Sequence, residues 1–291
     1  MTAPVPFIVC HPRSGSTLLR LMLDAHPDMA IPPETMFNEV FRLSRAPPPA
    51  AELPGAVVAL ITGSQRWRDL HLAADELRDA FARLGGGFTI AEGLRVCYRL
   101  YAARHGKTRY GDKTPGHIFW LPEIMSLLPE AVIVHIVRDG RDIAASMRPM
   151  WFGPGNDMTK LAESWLRSLE AGFAAKRDHP DRYLEIRYEE LAAEPEPLLR
   201  HVAARIDLPY DPAMLRYPGR AAERLAELRD IYRPDGVLFA TGEAHQAIHR
   251  RTLEAPNSDR VGRHRDDLSD AERAAFEAIA GPMLAHLGYR A

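Results

Sequence analysis

The residues best equipped for chemistry stand in two short runs, each directly after an apolar stretch. The first, Arg13-Ser14-Gly15-Ser16-Thr17, follows Phe7-Ile8-Val9-Cys10. A chain that leaves a strand and enters a helix aims free backbone N–H groups and the positive end of the helix dipole at one point. Gly15 lets the backbone come close, Ser16 and Thr17 add hydroxyl donors, and Arg13 adds a full charge. That is the chemistry of a phosphate site, although a plain turn with a Ser/Thr cap has the same composition. The second run, Arg138-Asp139-Gly140-Arg141-Asp142, follows the apolar residues 131–137 (AVIVHIV), and Ser146 lies eight positions beyond Arg138. An arginine fork and a helix hydroxyl can share one dianionic phosphate. Taken alone, Arg138 suits a strand-end salt bridge equally well.

These groups need a scaffold of strands followed by helices. Leu18, Leu19, Leu21, Met22 and Leu23 predict a helix that ends near His26-Pro27. Residues 131–137 read as a parallel strand buried on both faces, with a helix starting at Ile143. Tyr183 to Tyr188 alternates like a further strand, and Leu191, Leu198, Leu199, Val202 and Ile206 predict one helix beyond it. Trp67, Leu70, Ala74, Leu77, Phe81 and Leu84 have the spacing of a single amphipathic helix that Gly85-Gly86-Gly87 ends. Pro47-Pro48-Pro49 is a loop. Ser269 and Glu272 are spaced as a capping box before a helix with Phe276, Ile279, Met283 and Leu287 on one stripe. Alternating strands and helices predict one α/β domain over residues 1–291. It is a three-layer sandwich with a central parallel sheet, a P-loop-like phosphate loop and a helical insertion at about 42–88.

A P-loop kinase would need a glycine at position 10 and a lysine directly after Gly15, where Cys10 and Ser16 stand. Pro12-Arg13-Ser14-Gly15-Ser16-Thr17 instead resembles the 5′-phosphosulfate loop of sulfotransferases that use 3′-phosphoadenosine 5′-phosphosulfate (PAPS). Arg138 and Ser146 resemble the same family's 3′-phosphate site, an arginine at a strand end with a serine eight residues on. The segment 183–191 (YLEIRYEEL) resembles the family's strand and turn that bring a tyrosine near the adenine, here Tyr188, which equally suits a half-buried aromatic. Arg260-Val261-Gly262-Arg263-His264-Arg265 resembles its late basic loop over the 3′-phosphate, though a solvated charge run has the same composition. The resemblance touches most of the chain and is weak at 42–88 and 215–255.

The resemblance implies a sulfuryl group moving from PAPS to an acceptor hydroxyl, with PAPS as co-substrate and 3′,5′-adenosine bisphosphate (PAP) as product. It makes Arg13 a clamp on the leaving phosphate and Lys113, in Asp112-Lys113-Thr114-Pro115, a clamp on the sulfuryl group. Glu34, after Pro32-Pro33, takes the position of the general base, provided burial raises its pKa. Pro115 occupies the place where the cytosolic branch has its histidine, which leaves His117 as the alternative base. A kinase-like phosphotransferase and a non-catalytic nucleotide binder are the competing readings.

Composition sets outer limits. A formal net charge of −2 argues against nucleic acid as a partner. The 12 histidines show no metal-ligand spacing, so no metal is expected. Cys10 and Cys97 alone make no disulfide framework, and no window approaches the ~20 apolar residues of a membrane span. The expected location is cytoplasmic, and the expected partner is a small-molecule, glycan or lipid acceptor. Trp67, Trp151, Phe152, Tyr217, Tyr232 and Phe239 suit the recognition of an apolar or sugar-bearing acceptor, and a packed core explains them at least as well.

Overall fold

The two apolar runs become adjacent parallel strands. In the computed structural model, which describes residues 3–233 and 235–289, the first half runs β1 (Val5–Cys10), α1 (Ser16–Asp24), β2 (Met29–Ala30), α2 (Asn38–Leu43), α3 (Leu53–Thr62), α4 (Ala74–Ala82), α5 (Ile90–Arg104), β3 (Arg109–Tyr110), β4 (Asp112–Lys113) and α6 (Leu121–Leu127). The second half runs β5 (Ala131–Val137), α7 (Gly140–Met147), α8 (Met158–Asp178), β6 (Tyr183–Arg187), α9 (Tyr188–Ala193), α10 (Pro195–Arg205), α11 (Pro218–Leu225), β7 (Ile231–Tyr232), β8 (Leu238–Ala240), α12 (Gly242–Ala247), α13 (His264–Asp267) and α14 (Asp270–His286). The central sheet has the order β4-β1-β5-β6 and is parallel throughout. Val5 faces Ala131 and Cys10 faces Ile136, so the two phosphate-type loops leave the same edge of the sheet side by side.

Alternation along the strands makes three layers. Phe7, Val9 and Ile133 point to one face, where α3 to α6 cover them. Ile8, Cys10, Val134 and Ile136 point to the other, against α1, α10 and α11. Both faces are dry, as parallel strands require. A third cluster joins α7, α8 and α14 through Trp165, Leu169 and Phe276.

Four expectations change in detail. Trp67 to Leu84 is not one helix: a 3₁₀ turn at Trp67–Leu70 ends at His71, whose φ is 52°, and α4 starts afresh at Ala74. Leu70, Leu77 and Phe81 still reach one core, which explains the helical spacing. The helix expected beyond β6 is two helices, α9 and α10, with a break at Glu194 ahead of Pro195. Tyr188 opens α9 and does not end the strand. On α14 the capping box forms, but the buried stripe is Phe276, Ala280 and Leu284, while Ile279 is exposed. Helices α5 and α8 lacked a clear sequence signature.

Candidate active site

The loop between β1 and α1 is bent sharply at two positions. Arg13 has φ 71° and Gly15 has φ 97°, both in the left-handed region. Such alternation turns successive N–H groups to one side and makes an anion-binding concavity. Among the described residues no side chain caps α1, so its first-turn N–H groups are left for a ligand. Ser14 turns away: its hydroxyl donates to the His11 carbonyl at 2.7 Å and its amide to the same oxygen. Arg13, Gly15, Ser16 and Thr17 line a cavity of about 700 Å³.

Arg138 lines the same cavity from the end of β5. Its guanidinium donates to the Arg13 carbonyl at 3.0 Å and to the Arg260 carbonyl at 2.7 Å, and it lies 4.0 Å over the Tyr188 ring. Its Nε is buried without a hydrogen-bond partner among the described residues. Ser146 is bonded to Arg13 (Nε to Oγ, 3.1 Å) and not to Arg138. Arg13 also donates to the Ile248 carbonyl at 3.2 Å. Burial, then the charges of Arg138 and Arg263, bring the Arg13 pKa down to about 10. The cavity is therefore a concentration of positive charge, and an anion would relieve it.

The late basic loop is anchored from below. Asp142, fully buried, accepts from the amides of Gly262 at 2.8 Å and His264 at 3.0 Å. Gly262 has φ 75°, which suits glycine, and does not itself line the cavity. Arg260 and Arg263 do, and Arg263 is paired with Asp267 at 2.5 Å.

Glu34 lines the same cavity, and Lys113 from β4, buried and outside the lining, donates to its Oε1 at 2.8 Å. Burial pushes the Glu34 carboxyl up, but Lys113 and Arg66 outweigh it and hold it below the usual carboxylate range. The expectation that burial would raise this pKa is thereby corrected. Burial lowers the Lys113 pKa, and Glu34 only partly opposes it. His117 does not face the cavity: it is fully buried, bonded through Nδ1 to Asp112 Oδ1 at 2.9 Å and packed edge-on against Phe41.

Three groups near Glu34 were not foreseen: Arg66, His245 and His249, all on the cavity wall. Arg66 and His245 meet across 179 positions of sequence, so no local pattern could announce them. Of the expected aromatics, Trp151, Phe152, Tyr217 and Phe239 line the cavity. Trp67 packs against the core and Tyr232 lies under Arg68, both outside the cavity lining.

Fold and site together define an α/β protein with a central parallel sheet, whose loop after β1 shares one cavity with Glu34 of a carboxylate–lysine pair. The chain belongs to the Sulfotransferase family, whose sequence profile matches residues 4–212. It is 28% identical over 296 residues to the protein-tyrosine sulfotransferase of Drosophila melanogaster, covering 98% of this chain and 52% of that longer protein. The chain thus spans about half of that relative. The sulfotransferase domain from the curacin biosynthetic pathway shares the fold at TM-score 0.55 and 18% identity, covering 99% of each chain. Mouse sulfotransferase SULT7A1, solved in complex with PAP, does so at TM-score 0.51 and 14% identity, covering 100% of this chain and 90% of that one. Among the described residues no helix is long and apolar enough to cross a membrane, and no group of three His, Cys, Asp or Glu could hold a metal ion.

Proposed function

We propose that residues 1–291 act as one sulfotransferase domain that moves the sulfuryl group of PAPS to an acceptor hydroxyl. The observation that carries this reading is the convergence of Arg13, Ser146, Arg138 and Tyr188 on one cavity that Glu34 also lines, with Lys113 buried behind it and bonded to it. The uncapped start of α1 and the cluster of Arg13, Arg138, Arg260 and Arg263 along the cavity fit a doubly phosphorylated nucleotide. PAPS supplies an activated sulfuryl group. Arg13 and the first-turn amides of α1, with the hydroxyls of Ser16 and Thr17, hold its 5′-phosphate. Arg138, Arg260 and Arg263 hold its 3′-phosphate, with Gly262 shaping their loop, and Tyr188 packs by the base.

In the transfer, the acceptor oxygen forms a bond to sulfur while the bond from sulfur to the bridging phosphate oxygen breaks. The electron pair of that bond stays on the phosphate, where Arg13 meets the charge. Glu34 takes the acceptor proton. Lys113 holds the pair at rest, and its ammonium is the charge this reading offers to a sulfuryl oxygen. Once Lys113 turns to that anion, Glu34 loses its strongest stabilising partner and burial makes it a better base. No metal is needed where fixed cations meet the charge. The acceptor is a small molecule, glycan or lipid bearing a hydroxyl, with Trp151, Phe152 and Phe239 against its apolar part and the 42–88 insertion beside it. Both cysteines are buried and unpaired, which suits the cytoplasm. Incubation with ³⁵S-labelled PAPS and a panel of hydroxyl acceptors tests the reading. Labelled product without added magnesium supports it, and ATP-dependent phosphorylation would replace it.

A further inference from the structure

The acceptor side of the cavity contains a histidine whose tautomer is fixed by its neighbour. Arg66 Nη1 lies 2.8 Å from His245 Nδ1. A guanidinium can only donate, so Nδ1 must present its lone pair, and the neutral ring carries its proton on Nε2. Arg66 is itself held, 3% exposed, by an ion pair of 2.5 Å to Asp69, which in turn accepts from the Arg229 amide at 2.8 Å. The ring is buried and its surroundings are predominantly cationic: Arg66, Lys113 and Arg13 oppose a second proton, and only Glu34 favours it. Asp69 lies behind Arg66, and His249 and Trp151 flank the ring. Burial is the largest cause of a pKa near 3, followed by Arg66. His245 is therefore a poor proton acceptor and a dependable donor. Nε2 has no hydrogen-bond partner among the described residues and is not among the sealed, unpaired atoms, so it remains open to a ligand in the cavity that His245 lines.

We propose that His245 is a specificity-determining residue whose Nε2–H donates to a second oxygen of the acceptor, beside the hydroxyl that Glu34 deprotonates. This rests on the sulfotransferase reading and narrows it to acceptors that carry a second oxygen near the reacting hydroxyl, of which a vicinal diol is the simplest. A polar site built to hold that oxygen discriminates against a molecule that lacks it.

Two measurements test the proposal. Long-range ¹H–¹⁵N NMR of the histidine-labelled protein is expected to show the Nε2–H tautomer of His245 without protonation from pH 8 to pH 5. Arg66→Met is expected to raise its protonation midpoint. An Nδ1–H tautomer, or a protonated ring at pH 7, overturns the proposal. With ³⁵S-labelled PAPS, catechol is expected to exceed phenol in kcat/KM by about ten-fold or more. His245→Ala should bring the two together, while His245→Gln, which keeps an N–H, retains part of the preference. A ratio unmoved by His245→Ala, or no turnover of either probe by protein that binds PAP, overturns the role. Failure of PAP to bind at all would instead strike the nucleotide reading.

Discussion

Replacing Gly15 with alanine tests how the phosphate loop is built. At φ 97° an L-residue is strained by about 1–2 kcal/mol. Its Cβ would lie 2.9 Å from Tyr188 Cε2 and closer still to Cδ2, so the ring would have to move. Overpacking of that kind costs about 1–3 kcal/mol. Gly15→Ala is thus expected to destabilise the protein by about 2–5 kcal/mol, leaving it folded if its total stability lies in the upper part of the usual ~5–15 kcal/mol. The two contributions separate in a double-mutant cycle read by urea unfolding. In a Tyr188→Ala background the steric part vanishes and the cost of Gly15→Ala falls to about 1–2 kcal/mol, while the backbone part persists. PAP affinity, read by calorimetry, falls in Gly15→Ala because the displaced Tyr188 ring leaves Arg138 without its 4.0 Å partner. A cost of Gly15→Ala that is the same with and without Tyr188, within about 0.5 kcal/mol, would refute the packing argument.

Glu34→Gln is expected to lower turnover by roughly 10²–10⁴ with PAP affinity nearly unchanged, since it removes the proposed base and no proposed nucleotide contact; steady-state rates and calorimetry on the same preparation check both. Lys113→Met removes the leading charge that holds the Glu34 pKa down, while burial remains. The acid limb of the kcat/KM profile should then move to higher pH, and an unmoved limb assigns it to another group. In the wild type the depressed Glu34 pKa contributes stability at pH above its unfolded value, lost as pH falls through the folded one. Ser269→Ala breaks the capping box of α14 and should cost about 1 kcal/mol in urea unfolding without altering PAP binding.

The β1 loop and the β5 end were legible because the same short stretches carry both their strands and their charges. An unbroken apolar run such as 131–137 has few alternatives to a buried parallel strand, and the groups that follow it inherit its position. Where function depends on pairing at a distance, the sequence is silent. Nothing near Arg66 announces His245, and nothing near Glu34 announces that Lys113 would reverse the expected direction of its pKa. Ser14 matched the phosphate motif, yet its hydroxyl closes the turn on the His11 carbonyl, an arrangement that depends on the left-handed Arg13 beside it. The Trp67–Leu84 spacing misled for a related reason. Two short segments broken at His71 deliver their side chains to one core as a continuous helix would.

Calorimetric titration with PAP and with adenosine 5′-monophosphate, on wild type and Arg138→Ala without magnesium, bears most directly on the proposed joint grip of Arg13 and Arg138 on the nucleotide. The wild type should bind PAP at least ten-fold more tightly than the monophosphate, in keeping with about 2 kcal/mol for a desolvated charge-assisted contact. Arg138→Ala should bind the two alike. A wild-type protein indifferent to the 3′-phosphate, or a variant that keeps the full preference, would contradict the account.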